Sequence, residues 1–323
     1  MKMTMNWVKL MILSLGLSFA FIRCNDDDPT TGNVEFQITD SPSNDDNISG
    51  VFVTVTEVRV DGKTVSGFNK QTVNLKALQN GNVKILGKSD LEAKSYSNVA
   101  LVIDLDMDEN GTAPGSYVQT TDNVKYKLVN SSTTSGTAEI TLNKSWEVRR
   151  QGSTKLIFDF NIDKAIKYSD NTSIRYRFVS AANLQSAIRV VDKDASATIN
   201  GTYTESVANN ADKVVVYAYK KGTFNAATET SAQGEDGTRF INAVSSATVQ
   251  TGLSGNNYTL AYLEQAEYEL HFASYTKESA TNRYLFKSLL QSELKLNGSV
   301  VTTIGVQSNV DVALSATIMG IIL

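Results

Sequence analysis

The chain has one cysteine, Cys24, and one histidine, His271. A single cysteine excludes an intramolecular disulfide framework and any zinc site built from several cysteines. A single histidine excludes a His-rich metal centre within one chain. A Ser-His-Asp triad would have to use His271, and no Gly-x-Ser-x-Gly elbow accompanies it. Basic excess is also missing. Thirty Lys and Arg stand against 34 Asp and Glu, which argues against a nucleic-acid binder. No Gly-rich phosphate loop is present. The apolar run Leu10–Ile22 holds about a dozen residues, whereas a bilayer core needs about 20. What remains is ordinary globular chemistry, 41% apolar and 20% charged over 323 residues, enough for about two domains.

The first 23 residues differ from the rest. Lys2 and Lys9 form a positive n-region ahead of the apolar run, so residues 1–23 read as a signal peptide. Cys24 sits where that run ends, and a thioether-linked lipid on it explains both its position and its being alone. The segment resembles a bacterial lipoprotein signal, although Arg23 and Phe21 replace the usual small and aliphatic residues of the lipobox. Ser18-Phe19-Ala20 offers the alternative of ordinary cleavage after Ala20. The following Asn25-Asp26-Asp27-Asp28-Pro29 resembles the acidic surface-export tether of Bacteroidetes-type lipoproteins, and residues 24–32 are read as that tether. The resemblance implies acyl chains such as palmitate on Cys24 and an outer-membrane lipoprotein of a Gram-negative envelope, at the cell surface or the periplasmic face. Its membrane contact would be the lipid anchor, which needs no spanning helix. Removing the leader leaves 27 basic against 34 acidic residues, so anionic membrane repels the body.

From Asn33 onward the apolar period is two. Val99, Leu101, Ile103, Leu105 and Met107 alternate with Ala100, Val102, Asp104 and Asp106; Leu156, Phe158, Phe160 and Ile162 do the same. Each run predicts a strand with one dry face. In Gly50–Val60 the parity switches from Val51, Val53 and Val55 to Val58 and Val60, which predicts a bulge near Thr56–Glu57. Helical spacing is weak, with short helices expected around Lys88–Lys94 and Lys164–Tyr168 and a longer one around Arg283–Leu294. The expected fold is all-β, two β-sandwich domains over residues 33–192 and 193–323. Ser196-Ala-Thr-Ile199 recurs as Ser315-Ala-Thr-Ile318, either by chance, the favoured reading, or as paired first and last strands.

Two acidic runs are candidates for chemistry. Asp104, Asp106, Asp108 and Asn110, followed by Gly111, resemble the first half of an EF-hand loop and suggest a Ca2+ site. The twelfth position is Tyr117 instead of a bidentate Glu, so a solvated strand face ending in an Asn-Gly turn is the simpler reading. Asp159, Asn161 and Asp163 form a second face, expected to pair across a hairpin with Arg175 and Arg177. Tyr217 with Tyr219, and Tyr258 with Tyr262, share strand faces and read either as core or as a platform for a sugar ring. His271 alternates outward and is expected to be solvated.

Four segments resemble a bacterial lipoprotein family, domain of unknown function 4382: Val34–Pro42, Val51–Val60, Leu156–Ala165 and Ala187–Val191. The likeness covers about residues 33–192 and implies a β-rich surface or periplasmic module, with no catalytic residues to transfer. Asn161 stands where the family often has a second Asp. The C-terminal part resembles transthyretin-like and carboxypeptidase-regulatory-like sandwiches in its Tyr258-x-Leu260 and Tyr268-x-Leu270-x-Phe272 patterns. The expected function is a non-catalytic binding or adhesion module whose partner is a glycan. The alternatives are an envelope-assembly component that pairs with an envelope protein, and, third, a carboxylate-based hydrolase.

Overall fold

In Thr31–Ser41 the alternation puts Val34, Phe36 and Ile38 on one face, and all three are fully buried. This strand pairs in parallel with Ser153–Asn161, so that Phe36 lies opposite Leu156 and Ile38 opposite Phe158. Ile188–Asp192 and Lys84–Glu92 add antiparallel neighbours on either side and complete a four-stranded sheet. Ile48–Val60 is the spine of a second sheet, between Tyr117–Thr120 and Ser95–Asp104, with Thr137–Glu147 outside the latter. Its register slips between Val55 and Glu57, where the parity of the valines switches. The dry faces of the two sheets share one core, in which Phe36, Ile38 and Phe158 meet Val53, Val55 and Leu101. Each such fully buried side chain contributes about 1.5–3 kcal/mol. The computed structural model describes residues 30–129, 133–169, 174–234, 236–253 and 255–322. The leader, Cys24 and the tether up to residue 29 lie outside the described residues.

The C-terminal half is one ten-stranded sheet that folds over on itself. Eight strands run in the order Ser245–Thr248, Lys213–Lys220, Ala266–Glu278, Arg283–Leu296, Val312–Ile321, Ser196–Glu205, Gly255–Glu264, Gln250–Gly252, and two short ones, Ser299–Val301 and Ile304–Val306, pair with Arg283–Leu296 and Ala266–Glu278. Tyr258 and Phe272 lie on strands well separated in that order, yet their rings meet edge-on at 5.5 Å, and both belong to one core. That closure makes a sandwich from a single sheet. Tyr258 needs Gly201 opposite it, because a Cβ there would fall 1.9 Å from the Tyr258 ring. The first and last strands of this half do pair, in parallel, from Ile199 opposite Val312 to Glu205 opposite Ile318. The two Ser-Ala-Thr-Ile repeats are out of register, with Ser315 facing Thr202, so the pairing does not depend on their likeness.

The helix expected over Arg283–Leu294 is instead the strand Arg283–Leu296, bonded on both sides. Leu290 and Leu294 face one core and Leu289 the other, so this strand is apolar on both sides and its leucines fall at helix-like spacing. Ladder pairing on two sides outweighs the helix propensity of Leu, Lys and Gln. Lys88–Lys94 falls largely in the strand Lys84–Glu92. Near Lys164 there is one helical turn, Ile162–Ala165, followed by the strand Ile166–Tyr168. Among the described residues no helix is long and apolar enough to cross a membrane.

Candidate functional site

The second acidic run lies where the two halves meet, not on a solvated face. Asp159 stands beside Thr39 on the face of the four-stranded sheet turned away from its core, and both are buried. The expected pairing with Arg175 and Arg177 is not found. Arg177 binds Asp236 at 3.0 Å, and Arg175 lies over the Tyr126 ring. The partner of Asp159 is Arg189, which donates from Nε at 2.7 Å and approaches with its second η nitrogen at 2.6 Å. The same guanidinium donates to the Tyr262 and Ala261 carbonyls at 2.6 and 2.9 Å. Those carbonyls are available because the ladder slips there: Ala197 faces Leu263 while Ile199 faces Leu260. The bulge leaves Tyr262 at a positive φ of 56°, a costly conformation for an aromatic residue. Its hydroxyl then donates to the Gly81 carbonyl of the other half at 2.5 Å.

The helical turn that follows extends this seam. The Asn161 side chain caps it by accepting from the Lys164 N–H. Lys164 is thereby aimed across the seam, where Nζ donates to the Ile241 and Ala243 carbonyls at 2.8 and 2.7 Å. Burial brings its amine down to about 8. Asp163 accepts from the Asn44 N–H at 2.7 Å and from the Asn44 side-chain amide, and burial pushes its carboxyl up. Lys213, its amine lowered by burial, reaches back to donate to the Ser43 carbonyl at 2.6 Å. Asp40, one residue before the end of its strand, is buried. Burial, and then the charge of Asp159, pushes its carboxyl far up.

Beside the seam opens a cleft of about 400 Å3. Tyr217 and Tyr275 line it, hydroxyl to hydroxyl at 2.5 Å, with Phe240 stacked on Tyr217 at 4.1 Å. Arg239 lies 5.7 Å from the Phe286 ring centre, and Arg283 lies 4.5 Å from that of Tyr168. The carboxylates are turned to protein partners. Asp45 accepts from Asn47 and, at 3.0 Å, from the Tyr176 hydroxyl, while Asp163 is held by Asn44.

The first acidic run is a local turn. Asp104 binds Lys70 at 2.9 Å and accepts from the Asp106 and Met107 N–H groups. Asp106 points elsewhere, to Lys127 at 2.6 Å and to the Gly136 N–H. Asp108 accepts from the Asn110 and Thr112 N–H groups, and Asn110 itself is exposed. Each carboxylate thus serves its own partner, and among the described residues no three His, Cys, Asp or Glu side chains gather as metal ligands. The strand Ser153–Asn161 lies in the other sheet from Ser95–Asp104, so the two acidic runs do not combine.

The tyrosines are mostly core. Tyr217, Tyr219 and Tyr258 are buried, and the bulge breaks the shared face of Tyr258 and Tyr262 by turning Tyr262 to the seam. His271 is not solvated as expected. It stacks on Phe224 at 3.6 Å, and burial lowers its pKa. The residues missed in the sequence are cations, Arg189 above all. Its one signal was a lone charge inside the apolar run Ile188–Val191.

The family model described as Domain of unknown function (DUF4382) matches residues 31–178. It does not reach residues 193–323, whose transthyretin-like resemblance rests on strand pattern alone. No curated protein matches the chain. Among solved structures, a major pilin of Streptococcus pyogenes shares 9% identity at a TM-score of 0.21, covering 90% of this chain and 98% of the pilin. The minor pilin of Streptococcus agalactiae shares 9% at 0.18, covering 88% and 96%. The Bacillus anthracis TIE protein shares 12% at 0.17, with 90% of this chain spanning 34% of that protein. Likenesses at these TM-scores carry no argument about function. The family match covers both acidic runs and most strands of the first sandwich, so residues 31–178 of this chain are similar to DUF4382, a domain of unknown function.

Proposed function

We propose that this chain is a non-catalytic binding module of a Gram-negative envelope, held at the membrane by lipid on Cys24 and binding a glycan in the cleft between its halves. The observation that carries the reading is the cleft itself, which combines about 400 Å3 of space with aromatic walls and guanidinium groups beside aromatic rings. Apolar faces with a few fixed polar groups are the usual make-up of a small-ligand site. Asp45 and Asp163 are the carboxylates of the cleft, and both are held by amide or hydroxyl donors of the protein. Strand pairing with an envelope protein is disfavoured by the sheet edges. Thr137–Glu147 and Lys84–Glu92 carry several charges, and Ser245–Thr248 and Gln250–Gly252 are short.

A glycan-array screen of the purified protein tests the reading. Specific binding that weakens in Phe286→Ala is expected. Binding to no glycan, or binding unchanged by that substitution, contradicts it.

A further inference from the structure

The charge of the cleft runs against that of the chain. The sequence has more acids than bases, yet the cleft lining holds Lys164, Lys167, Arg239 and Arg283 against only Asp45 and Asp163. Partners refine the imbalance. Lys164 is spent on two carbonyls of the seam, and Lys167 donates to the Asp163 carbonyl. Arg283 approaches Asp45 only at 3.8 Å, with Nε. Arg239 donates from Nε to the Thr230 carbonyl and has no carboxylate within ion-pair distance among the described residues.

Both arginines are held by rings, Arg239 over Phe286 and Arg283 over Tyr168. A ring beside a guanidinium favours its charge and leaves its N–H edge for a planar, bidentate acceptor. The acceptor that fits such an edge is a carboxylate, and the bond is charge-assisted. A concave, low-dielectric setting of one sign also focuses field on an incoming anion. We infer that the ligand of the cleft is a carboxylated saccharide of the uronic-acid class, its carboxylate received by Arg239 and Arg283. This deepens the glycan reading and rests on it.

The test is calorimetric titration of the full-length protein with a galacturonic-acid oligosaccharide and with a galactose oligosaccharide of equal length. The acidic sugar is expected to bind at least about tenfold more tightly, the ratio one charge-assisted hydrogen bond supplies. Arg239→Gln, at an exposed position, should bring that ratio close to one. Arg283→Gln should reduce it in the same direction, and added salt should weaken only the acidic sugar. Equal affinity for the two sugars, or a ratio that survives both substitutions, overturns the inference while leaving the glycan reading in place. Binding of neither sugar, together with a blank glycan array, overturns both.

Discussion

Asp104–Asp106–Asp108 and Asp159–Asn161–Asp163 are nearly the same pattern in sequence, carboxylates or amides at every second position beside an apolar alternation. In the fold they are opposites. The first leaves its strand at Asp104 and becomes a loop, where each carboxylate caps a nearby N–H or meets a part-exposed lysine. The second stays in the ladder through Asn161 and is buried where the halves meet, with Asp159 on Arg189, Asn161 capping a turn, and Asp163 on Asn44. The lesson is that the periodicity of a carboxylate run states its geometry, while the environment of its partners decides its role. An acid exposed to water loses little by having a weak partner. A buried acid without a partner is costly, so its counter-charge is built into the fold.

The comparison can be broken most severely at Arg189. Arg189→Met leaves Asp159 buried and unpaired and two carbonyls without a donor, and should cost about 3–5 kcal/mol in urea-monitored unfolding. A loss under 1 kcal/mol would place this pair in the same class as the loop pairs.

Lys164 sharpens the comparison through pH. Its amine is lowered in the folded chain to about 8 from an ordinary 10.5, so between those values the folded protein binds fewer protons than the unfolded one. Stability contributed by this group therefore rises with pH across that window, and is constant below it. Across the whole window the rise should reach about 3 kcal/mol. Lys164→Met should flatten the stability profile between pH 8 and 10, and an unchanged profile would show that Lys164 is solvated.

The loop should give the smallest response. Asp104→Asn weakens one pair with a part-exposed lysine and should cost about 1 kcal/mol or less. Adding calcium should leave the thermal midpoint where it was, since each loop carboxylate already serves its own protein partner. A calcium-dependent rise abolished in Asp106→Asn would restore the ion to this loop.

Much of the fold was legible because strand periodicity is a local property. The dry face of Thr31–Ser41, the bulge after Val55 and the all-β class all follow from alternation within a dozen residues. The candidate site was legible only in part. Asp163 and Tyr217 stood out as an acid and an aromatic, but the cleft they share is made by halves far apart in sequence. Arg189 was hidden for the same reason, because its partners include carbonyls that a bulge at Tyr262 frees. The strand Arg283–Leu296 looked helical since it buries leucines on both faces, Leu289 in one core and Leu290 and Leu294 in another.

The second acidic run and its cations couple the two halves and so shape the cleft. Differential scanning calorimetry of the wild type and of Arg189→Met tests it most directly. One cooperative transition is expected for the wild type, and two resolved transitions, at least one at lower temperature, for the variant. Two independent transitions in the wild type, unmoved by the substitution, would contradict it.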